Sequence, residues 1–461
     1  MLQTHKRLKV DMLGGSLIKN ILLFAVPLML TGILQLLYNS ADMIVVGQFA
    51  EAGSIGAVGS TSPIINLVVN TFISLSIGST VVVANYYGAG DNRGIERAVH
   101  TSITVAFLSG VVVAIAGFFC SRAILVAVGS PSDIIDRSDI YMKIFFLGSP
   151  FNLIYNFGSA ILRAVGDTKR PLYYLAISGL INVALNLVLV IVFHLGVAGV
   201  AIATVISQIA SSIMVLVCLM RSDGAIKLRF KRLRIHKREA LQIARIGIPA
   251  GIQSALFSFS NVIIQSSVNS FGSQVVEGNA TGSSLDSFVY ISMNSVSQAA
   301  ISFVSQNYGA RQHKRIPKIM YCCMLVVLGV SALIGGIIYL FKNPLIGIYL
   351  NNPSKQAVDI INLRLAVWML TYFGCGFQEV LAGTMRGLNY SITPMIVSLL
   401  GACVFRVIWI YTVFAIFPTM LCLYISYPIS WGLTSIAHYI CFKVAYSKLK
   451  RREAAQLSAA E

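Results

Sequence analysis

The stretch LRAVGDTKRP, from Leu162 to Pro171, is a short charged turn between two long apolar runs. A similar stretch, MRGLNYSITP, runs from Met385 to Pro394. Each has an Arg at its second position and a Pro at its tenth, where the next apolar run begins. The two stretches are 223 positions apart (385 − 162). A match of this kind indicates an internal repeat.

Further landmarks recur at nearly the same offset and in the same order along the chain. Because several independent pairs agree, we interpret the chain as a duplicated unit of about half its length. The pairs at offsets of 221 or 222 are Pro27 and Pro249, Asn39 and Asn261, and Tyr87-Gly88-Ala89 and Tyr308-Gly309-Ala310.

The composition is that of an integral membrane protein. Hydrophobic residues make up 56% of the chain and charged residues only 11%, whereas soluble domains carry roughly 25% charged residues. The fold class predicted from this composition is an all-α polytopic membrane protein. Apolar runs of about 20 residues or more predict about twelve transmembrane helices, near 17–46, 55–85, 97–119, 138–162, 171–193, 196–220, 240–270, 279–308, 317–341, 357–385, 394–416 and 420–446.

The net charge of +18 is distributed unevenly between the predicted loops. If the N-terminus is cytoplasmic, 28 of the 35 Lys and Arg residues fall in cytoplasmic segments and six in outer segments, Arg364 among the six. This asymmetry follows the positive-inside rule and places both termini in the cytoplasm. The basic surplus is therefore a topology signal that can also contact anionic lipid, and a nucleic-acid partner is not expected.

Each half contains six predicted spans, an even number, so both halves insert in the same orientation. This predicts two six-helix lobes related by a pseudo-two-fold axis along the membrane normal. The expected domains are an N-lobe at 1–220, a basic cytoplasmic linker at 221–239, and a C-lobe at 240–461. The linker is interpreted as a solvated loop, or as a partly amphipathic helix on the inner leaflet.

Polar side chains at helical spacing mark both the first and the seventh span, which are repeat partners. Such residues often do no more than hold helices together. Because the stripes occur on both partners, we interpret them as lining a substrate cavity between the lobes. The residues expected there are Gln35, Tyr38, Asn39, Asn156, Gln253, Ser258, Asn261, Gln265, Gln378, Glu379 and Arg406.

Only two acids, Asp42 and Glu379, fall well inside predicted spans, while Asp286 is expected at the interface near the outer end of the eighth. A charge at bilayer depth costs at least about 2.5–3.5 kcal/mol. We therefore expect Asp42 to take up a proton or to bind a cation such as Na⁺ through oxygen ligands; the alternative is a structural hydrogen bond. The expected ion partner of Glu379 is Arg406, in a pair that either contributes to function or only fixes packing.

The chain resembles the multidrug and toxic compound extrusion (MATE) family over about residues 15–445. In the paired turns the matching positions are Arg163, Gly166 and Pro171 in the first copy, and Arg386, Gly387 and Pro394 in the second. Other matching motifs are LYNSADMIVVG at 37–47, ANYYGAGDNR at 84–93, GVAIAT at 199–204 and QNYGAR at 306–311.

The resemblance implies two six-helix lobes around a V-shaped central cavity, and cation-coupled export by alternating access. In the bacterial branch it also implies a coupling site at Asp42, grouped with Asn182, Asn186 and Thr204. Many members carry Asp at the position of Asn186, so this chain has one negative charge fewer at the implied site.

The predicted function is secondary antiport in a bacterial plasma membrane, exporting organic, cationic amphipathic compounds as Na⁺ or H⁺ enters. A flippase for lipid-linked sugars is the alternative, although it needs a more basic cavity. The sequence contains neither an HExxH nor a GxSxG motif, so nothing in it favours a membrane-embedded enzyme. The eight Cys residues contain no CxxC, so no cofactor is expected beyond the coupling ion. The expected partners are small molecules and lipid, and the expected state is a monomer.

Overall fold

The computed structural model of the chain describes residues 9–49, 54–350 and 353–458, and over these ranges it contains helices and no strand. The expectation that both termini face the cytoplasm stays a prediction, and the end residues themselves lie outside the described ranges. The all-helical fold class predicted from composition is confirmed.

Seven helices form the first lobe. With two of the seven counted together as one bent pair, they match the six predicted spans. They are α1 (Leu17–Phe49), α2 (Ser54–Gly88), α3 (Asn92–Ala127), α4 (Ile135–Leu147), α5 (Ser149–Ala164), α6 (Lys169–Leu187, continued by a π-helical segment at Val188–Val192) and α7 (Gly196–Arg221).

The second lobe has the same order of long helices with more interruptions. Two π-helical segments, Leu399–Val404 and Ile410–Phe414, break its eleventh predicted span. The helices are α8 (Lys237–Asn269), α9 (Ser273–Gly309), α10 (Ile316–Leu340), α11 (Lys342–Tyr349), α12 (Lys355–Gly387), α13 (Ile392–Ser398), α14 (Phe405–Trp409) and α15 (Met420–Ser458).

Ten helical stretches of the described chain are both long and apolar enough to cross a membrane. The expected span near 138–162 is the bent pair of α4 and α5, whose axes differ by 46°. The expected span near 279–308 is α9, which is 37 residues long. Helix α9 is rich in Ser, Asn and Gln, and most of these side chains are buried within its own lobe. With these two elements the predicted twelve-helix, two-lobe architecture is confirmed.

The helices pack as two compact units. Of the described residues, one unit comprises those within 9–10 and 27–251, and the other comprises those within 11–26 and 252–458. Both α1 and α8 therefore contribute residues to each unit. Each of the two helices has a Pro near the residue at which it passes from one unit to the other, Pro27 in α1 and Pro249 in α8.

The two repeat turns have the same backbone hydrogen bonds. In the first turn Asp167 N donates to Leu162 O at 2.9 Å, and in the second Tyr390 N donates to Met385 O at 2.9 Å. Both residues of the second bond lie 223 positions after those of the first. The duplication predicted from sequence is therefore present in the local geometry.

A left-handed residue occupies the same place in both turns. Gly166 has φ +89° and Asn389, 223 positions later, has φ +67°. Gly and Asn are the residues that adopt this conformation most readily. The latter half of the second turn looks degenerate by sequence, yet its Asn preserves the backbone conformation that the Gly supplies in the first.

The segment at 221–239 is exposed over most of its length, as expected for a solvated linker, but it is also anchored to α3. It contains two short 3₁₀ turns and no amphipathic α-helix. Its backbone donates from Arg229 N to His100 Nε2 and from His236 N to Thr101 Oγ1, each at 3.1 Å. Leu228 is only 2% exposed. Backbone groups satisfied by α3 side chains hold the segment against that helix.

Candidate functional site

Three helices of the first lobe bring four predicted coupling residues together. Asn186 Nδ2 on α6 donates to Asp42 Oδ1 on α1 at 2.5 Å and also approaches Asn182 Oδ1 at 3.3 Å. Asn182 Nδ2 in turn donates to Thr204 Oγ1 on α7 at 3.4 Å. The result is one connected chain of polar groups from the carboxylate to α7.

Helical spacing explains how α6 contributes twice. Asn182 and Asn186 are four residues apart, so both side chains lie on one face of the helix. They are 5% and 0% exposed, respectively. The π-helical segment begins at Val188, directly after this face. Such segments are rare and occur frequently at functional sites.

The polar group lies beside a tightly packed apolar cluster. Tyr141 on α4, 7% exposed, belongs to this cluster and lies close enough to Asp42 to interact with its charge. Sequence reasoning missed Tyr141 because a Tyr in an apolar run is typical of an ordinary core residue. The cluster consists of Val45, Val46, Ala57, Val58, Tyr141, Val190, Val197, Val200 and Ala201.

Asp42 forms no ion pair with a basic side chain among the described residues, and its hydrogen-bond donor is the Asn186 amide. The amide oxygen, Asn186 Oδ1, is buried and without a hydrogen-bond partner. The group therefore contains one carboxylate, two amide oxygens and one hydroxyl oxygen, which are hard ligands suited to a small cation. It is equally able to hold a proton on the carboxylate.

The other polar residues predicted for the first lobe have mixed environments. Gln35 and Asn39 are exposed on α1. The Tyr38 hydroxyl donates to a backbone carbonyl of α6 at 3.1 Å. Asn156 Nδ2 donates to both the backbone and the side-chain oxygen of Asn152, at 2.9 and 2.7 Å. Gln35 and Asn39 therefore have side chains available to a ligand, while Tyr38 and Asn156 already have partners inside the lobe.

The amides predicted on α8 divide in the same way. Asn261 and Gln265 are exposed, and Ser258 Oγ is bonded to a backbone carbonyl one turn earlier. Gln253 is 3% exposed and accepts a 2.8 Å hydrogen bond from Arg386 Nη2. The structure thus places Gln253, which was expected to line the substrate cavity, in the interior beside the repeat turn.

The expected ion pair between Glu379 and Arg406 is not formed. Arg406 Nε donates to Ser430 Oγ at 2.9 Å, and the charge that acts on the Glu379 carboxylate is that of Arg386. Arg386 is seven residues further along α12, two helical turns away on the same face. The predicted partner, Arg406, lies in the neighbouring span, whereas the Arg that acts on Glu379 lies on the same helix. Gln378, also expected in the cavity, is buried at 2% exposure.

Asp286, which was expected at the membrane interface near the outer end of its span, has a buried basic partner within the lobe. It is 3% exposed and forms a 2.8 Å ion pair with Arg364 Nε. Arg364 is itself 6% exposed, although it was assigned to an outer segment, and its guanidinium lies 3.8 Å from the centre of the Trp368 ring. A buried partner compensates the charge of each residue, so both can lie inside the lobe.

The motif residues of the repeat turns serve close packing. A Cβ atom on Gly166 would lie 2.5 Å from Val10 O, and one on Gly387 would lie 2.8 Å from Val304 Cβ. The carbonyl of Pro171 accepts a hydrogen bond from Tyr155 at 3.1 Å. Arg163, Arg386 and Pro394 lie in the same turns or at the start of the following helix.

The chain matches one protein-family model, MatE, twice, at residues 27–188 and 249–412. One match lies in each repeat, and together they span more than half of the chain.

Two relatives and one solved structure illustrate the similarity. The chain is 29% identical over 395 residues to the probable multidrug resistance protein YoeA of Bacillus subtilis, covering 83% of this chain and 84% of the relative. It is 24% identical over 388 residues to the probable multidrug resistance protein NorM of Thermotoga maritima, covering 83% and 82%. The outward-facing structure of a multidrug resistance MATE family transporter of the MOP superfamily superposes with a TM-score of 0.88 at 20% identity, covering 96% and 99%.

Proposed function

Because the chain belongs to the MatE family, and is therefore a multi-pass membrane transporter and not an enzyme, we propose that it exports organic compounds from the cell. The proposed substrates include cationic amphipathic compounds, since the relatives named above are multidrug resistance proteins. In this proposal the protein acts as a monomer in the plasma membrane with both termini in the cytoplasm. Inward movement of Na⁺ or H⁺ drives export by alternating access.

The observation that carries the coupling proposal is the arrangement around Asp42. A carboxylate in hydrocarbon needs a neutralising partner, and the described part of the chain supplies it with an amide N–H and no basic side chain. A permanent basic partner would neutralise Asp42 in every state, so binding of a transported ion would not change its charge. A coupling ion neutralises Asp42 only while it is bound, as a transport cycle requires.

The Asn186 amide gives the site two possible arrangements. In the structure its N–H group faces Asp42 and its oxygen has no partner, which suits a site without a metal ion. Rotation of the amide by about half a turn exchanges the N–H and the oxygen, so that Asp42, Asn186, Asn182 and Thr204 all offer oxygen to Na⁺. For a proton no rotation is needed, because a protonated Asp42 retains one oxygen that accepts from Asn186.

Coupling then follows from differential binding. An ion that binds one conformation more tightly shifts the population toward that conformation. A change in the populations of two states from 1:99 to 99:1 requires about 5.5 kcal/mol of differential affinity. Neutralising the Asp42 carboxylate, whose insertion cost is at least about 2.5–3.5 kcal/mol, supplies a large part of that amount.

The test is efflux from liposomes that contain purified protein and a fluorescent cationic dye, with a Na⁺ gradient or a pH gradient imposed separately. We expect Asp42→Asn to abolish gradient-driven efflux while the protein still inserts and binds dye. The matched control is Asp136→Asn, the same chemical change at an exposed acid, which should transport normally. Undiminished efflux by Asp42→Asn under both gradients would remove Asp42 from the mechanism.

A further inference from the structure

Three arginines of the second lobe are buried, each about 6% exposed: Arg364, Arg386 and Arg406. Arg364 is paired with Asp286, and Arg386 interacts with the charge of Glu379. Among the described residues no carboxylate forms an ion pair with Arg406, whose guanidinium contacts Ser430, Tyr427 and Trp431. One positive charge in this lobe is therefore uncompensated.

The contacts of Arg406 leave part of its guanidinium free. Nε donates to Ser430 Oγ at 2.9 Å. The guanidinium carbon lies 4.0 Å from the centre of the Tyr427 ring and 6.0 Å from that of Trp431. The two terminal nitrogens donate to no described residue and are not sealed from the surface. These nitrogens form the planar fork with which Arg binds a carboxylate through two hydrogen bonds.

The helix that carries Arg406 is irregular on both sides of this residue. Helix α14 is five residues long and lies between the π-helical segments Leu399–Val404 and Ile410–Phe414. Arg406 thus shares with Asn186 of the first lobe a position next to a π-helical segment. In both lobes this irregularity accompanies a charged or polar group that faces the lobe interior.

The internal repeat relates Arg406 to the coupling group of the first lobe. Arg406 corresponds to Asn182 at an offset of 224 (406 − 182), and at the same offset Thr204 corresponds to Pro428, the residue after Tyr427. A π-helical turn closes its hydrogen bond one residue later than an α-helical turn, so the segment before Arg406 accounts for the additional position. The contact of Arg406 with Tyr427 is therefore adjacent to the position of the Asn182–Thr204 contact in the first lobe.

The charge at this repeated position is reversed between the lobes. At the offset of 222 that Pro27 and Pro249, and Asn39 and Asn261, give for these two helices, the repeat equivalent of Asp42 is Ile264 (264 − 42 = 222), an apolar residue. The first lobe thus combines an acid with amides, and the second combines an apolar residue with an Arg. A group that suits a cation in one lobe has become a group that suits an anion in the other.

We propose that Arg406 binds the carboxylate, or a similar oxyanion, of the exported compound, so that acidic and zwitterionic organic molecules are substrates. The inference rests on the proposed export function, but its site lies in a different lobe from Asp42. A buried unpaired guanidinium carries a desolvation cost that a bound carboxylate offsets. A cation without an acidic group offers no such compensation.

The test is equilibrium binding to the full-length protein in detergent, without any ion gradient. The probes are a rhodamine dye with a free carboxylate and the methyl ester of the same dye, which share the ring system and differ in the negative charge. Fluorescence polarisation gives the dissociation constant of each. Charge-assisted hydrogen bonds are worth about 1.5–3 kcal/mol, so wild-type protein should bind the acid about tenfold or more tightly than the ester, which is that range converted to affinity.

Two variants and one control assign the preference to Arg406. Arg406→Gln should weaken acid binding by about tenfold or more and leave ester binding unchanged, so that the preference disappears. Arg406→Lys keeps the charge without the fork and should lie in between. The control, Lys355→Gln, removes an exposed charge from the same lobe and should behave as wild type.

Several results would overturn the proposal. If wild-type protein binds acid and ester equally, the anion site is absent whether or not a variant folds. If Arg406→Gln weakens both probes equally while its thermal unfolding is unchanged, Arg406 only shapes the pocket. If chloride or phosphatidylglycerol, added below its concentration in the cell or in the membrane, makes wild-type protein bind acid and ester equally, the natural occupant of the site is an inorganic ion or a lipid headgroup. A failure of the Asp42→Asn efflux test leaves these binding results unaffected, so the two proposals fail separately.

Discussion

Each lobe places an acid among its helices, and the two acids differ in burial and in partners: Asp286 is buried, whereas Asp42 is half-buried. Asp286 in the second lobe lies 2.8 Å from the guanidinium of Arg364, with both side chains at most 7% exposed. Asp42 in the first lobe receives one hydrogen bond from Asn186 and forms no ion pair among the described residues. The same functional group is thus charge-balanced in one lobe and uncompensated in the other.

The difference separates a structural charge from a functional one. Arg364 also donates from Nη1 to Asn279 Oδ1 at 2.6 Å, and Tyr424 donates to the same oxygen at 3.0 Å. Every member of this group already has a partner, so a transported ion would have to break the network. At Asp42 an ion would complete a set of oxygen ligands. The uncompensated acid is the one that a transport cycle can use.

The largest expected effect comes from breaking the balanced pair. Arg364→Met leaves Asp286 buried and unpaired, and removal of one member of a buried pair typically costs about 3–5 kcal/mol. Asp42→Asn exchanges an uncompensated charge for an amide, so we expect a loss of less than about 1 kcal/mol, or a gain, in its free energy of unfolding. Thermal or denaturant unfolding in detergent measures both.

A double variant tests the explanation. Arg364→Met with Asp286→Leu removes both charges, and it should recover much of the stability because buried pairs can often be replaced by apolar residues. If the single Arg364 variant unfolds like wild type, the pair does not carry the stability assigned to it. If Asp42→Asn is the more destabilised of the two, the contrast between the lobes is wrong.

The second expected effect restores a charge to the first lobe. Asn186→Asp places a second carboxylate beside Asp42, and without an ion the two negative charges repel each other. Na⁺ relieves this repulsion, so its affinity should rise about tenfold or more, a change of about 1.4 kcal/mol. The measurement is the shift in unfolding temperature with Na⁺ concentration, compared with the same concentrations of K⁺.

The control for this variant is Asn156→Asp, which adds the same charge on α5 of the same lobe. It should leave the Na⁺-dependent shift at the wild-type value, because Asn156 bonds to Asn152 and not to the Asp42 group. Equal shifts in the two variants would mean that Na⁺ responds to net charge and not to this particular set of ligands.

Much of the fold could be predicted because it depends on patterns that membrane insertion imposes. Long apolar runs mark helices, and the recurring turn at Leu162–Pro171 reveals the duplication. Helix α9 was predicted as an apolar run near 279–308, although it is rich in Ser, Asn and Gln and is not among the ten stretches that are long and apolar enough to cross a membrane. The docking of segment 221–239 on α3 could not be predicted, because it depends on backbone donors that reach His100 and Thr101.

Within the candidate sites, the structure brings together Asp42, Asn182, Asn186 and Thr204, which the family resemblance groups, and their role in coupling stays a prediction. The sequence prediction was wrong where two residues far apart in sequence had to be paired. Arg364 lies near the start of α12 and was assigned to an outer segment, although Asp286 and Trp368 make its burial possible. Charge type alone does not reveal which buried partner a side chain meets.

A smaller effect is expected at the repeat turns. Gly166→Ala forces a Cβ into a left-handed residue, which costs about 1–2 kcal/mol, and brings that Cβ to 2.5 Å from Val10 O. Asn389 already carries a Cβ in the same conformation, so Asn389→Gly should change the free energy of unfolding by only a few tenths of a kcal/mol. Unfolding curves of the two variants measure the difference. If Gly166→Ala and Asn389→Gly lower the free energy of unfolding by the same amount, the two turns are not equivalent in the way that their backbone hydrogen bonds suggest.

The smallest effect is expected at an exposed pair that repeats the chemistry of Asp286 and Arg364. Arg122 Nη1 lies 2.7 Å from Asp136 Oδ1, but the two side chains are 58% and 74% exposed. Water and salt screen such a pair, so Arg122→Met should cost about 0–1 kcal/mol, against the several kcal/mol expected for Arg364→Met. The ion-pair distances are nearly equal, and burial is what differs. A comparable loss in the two variants would mean that distance decides the contribution of an ion pair in this protein, and the distinction drawn between Asp286 and Asp42 would then lose its physical basis.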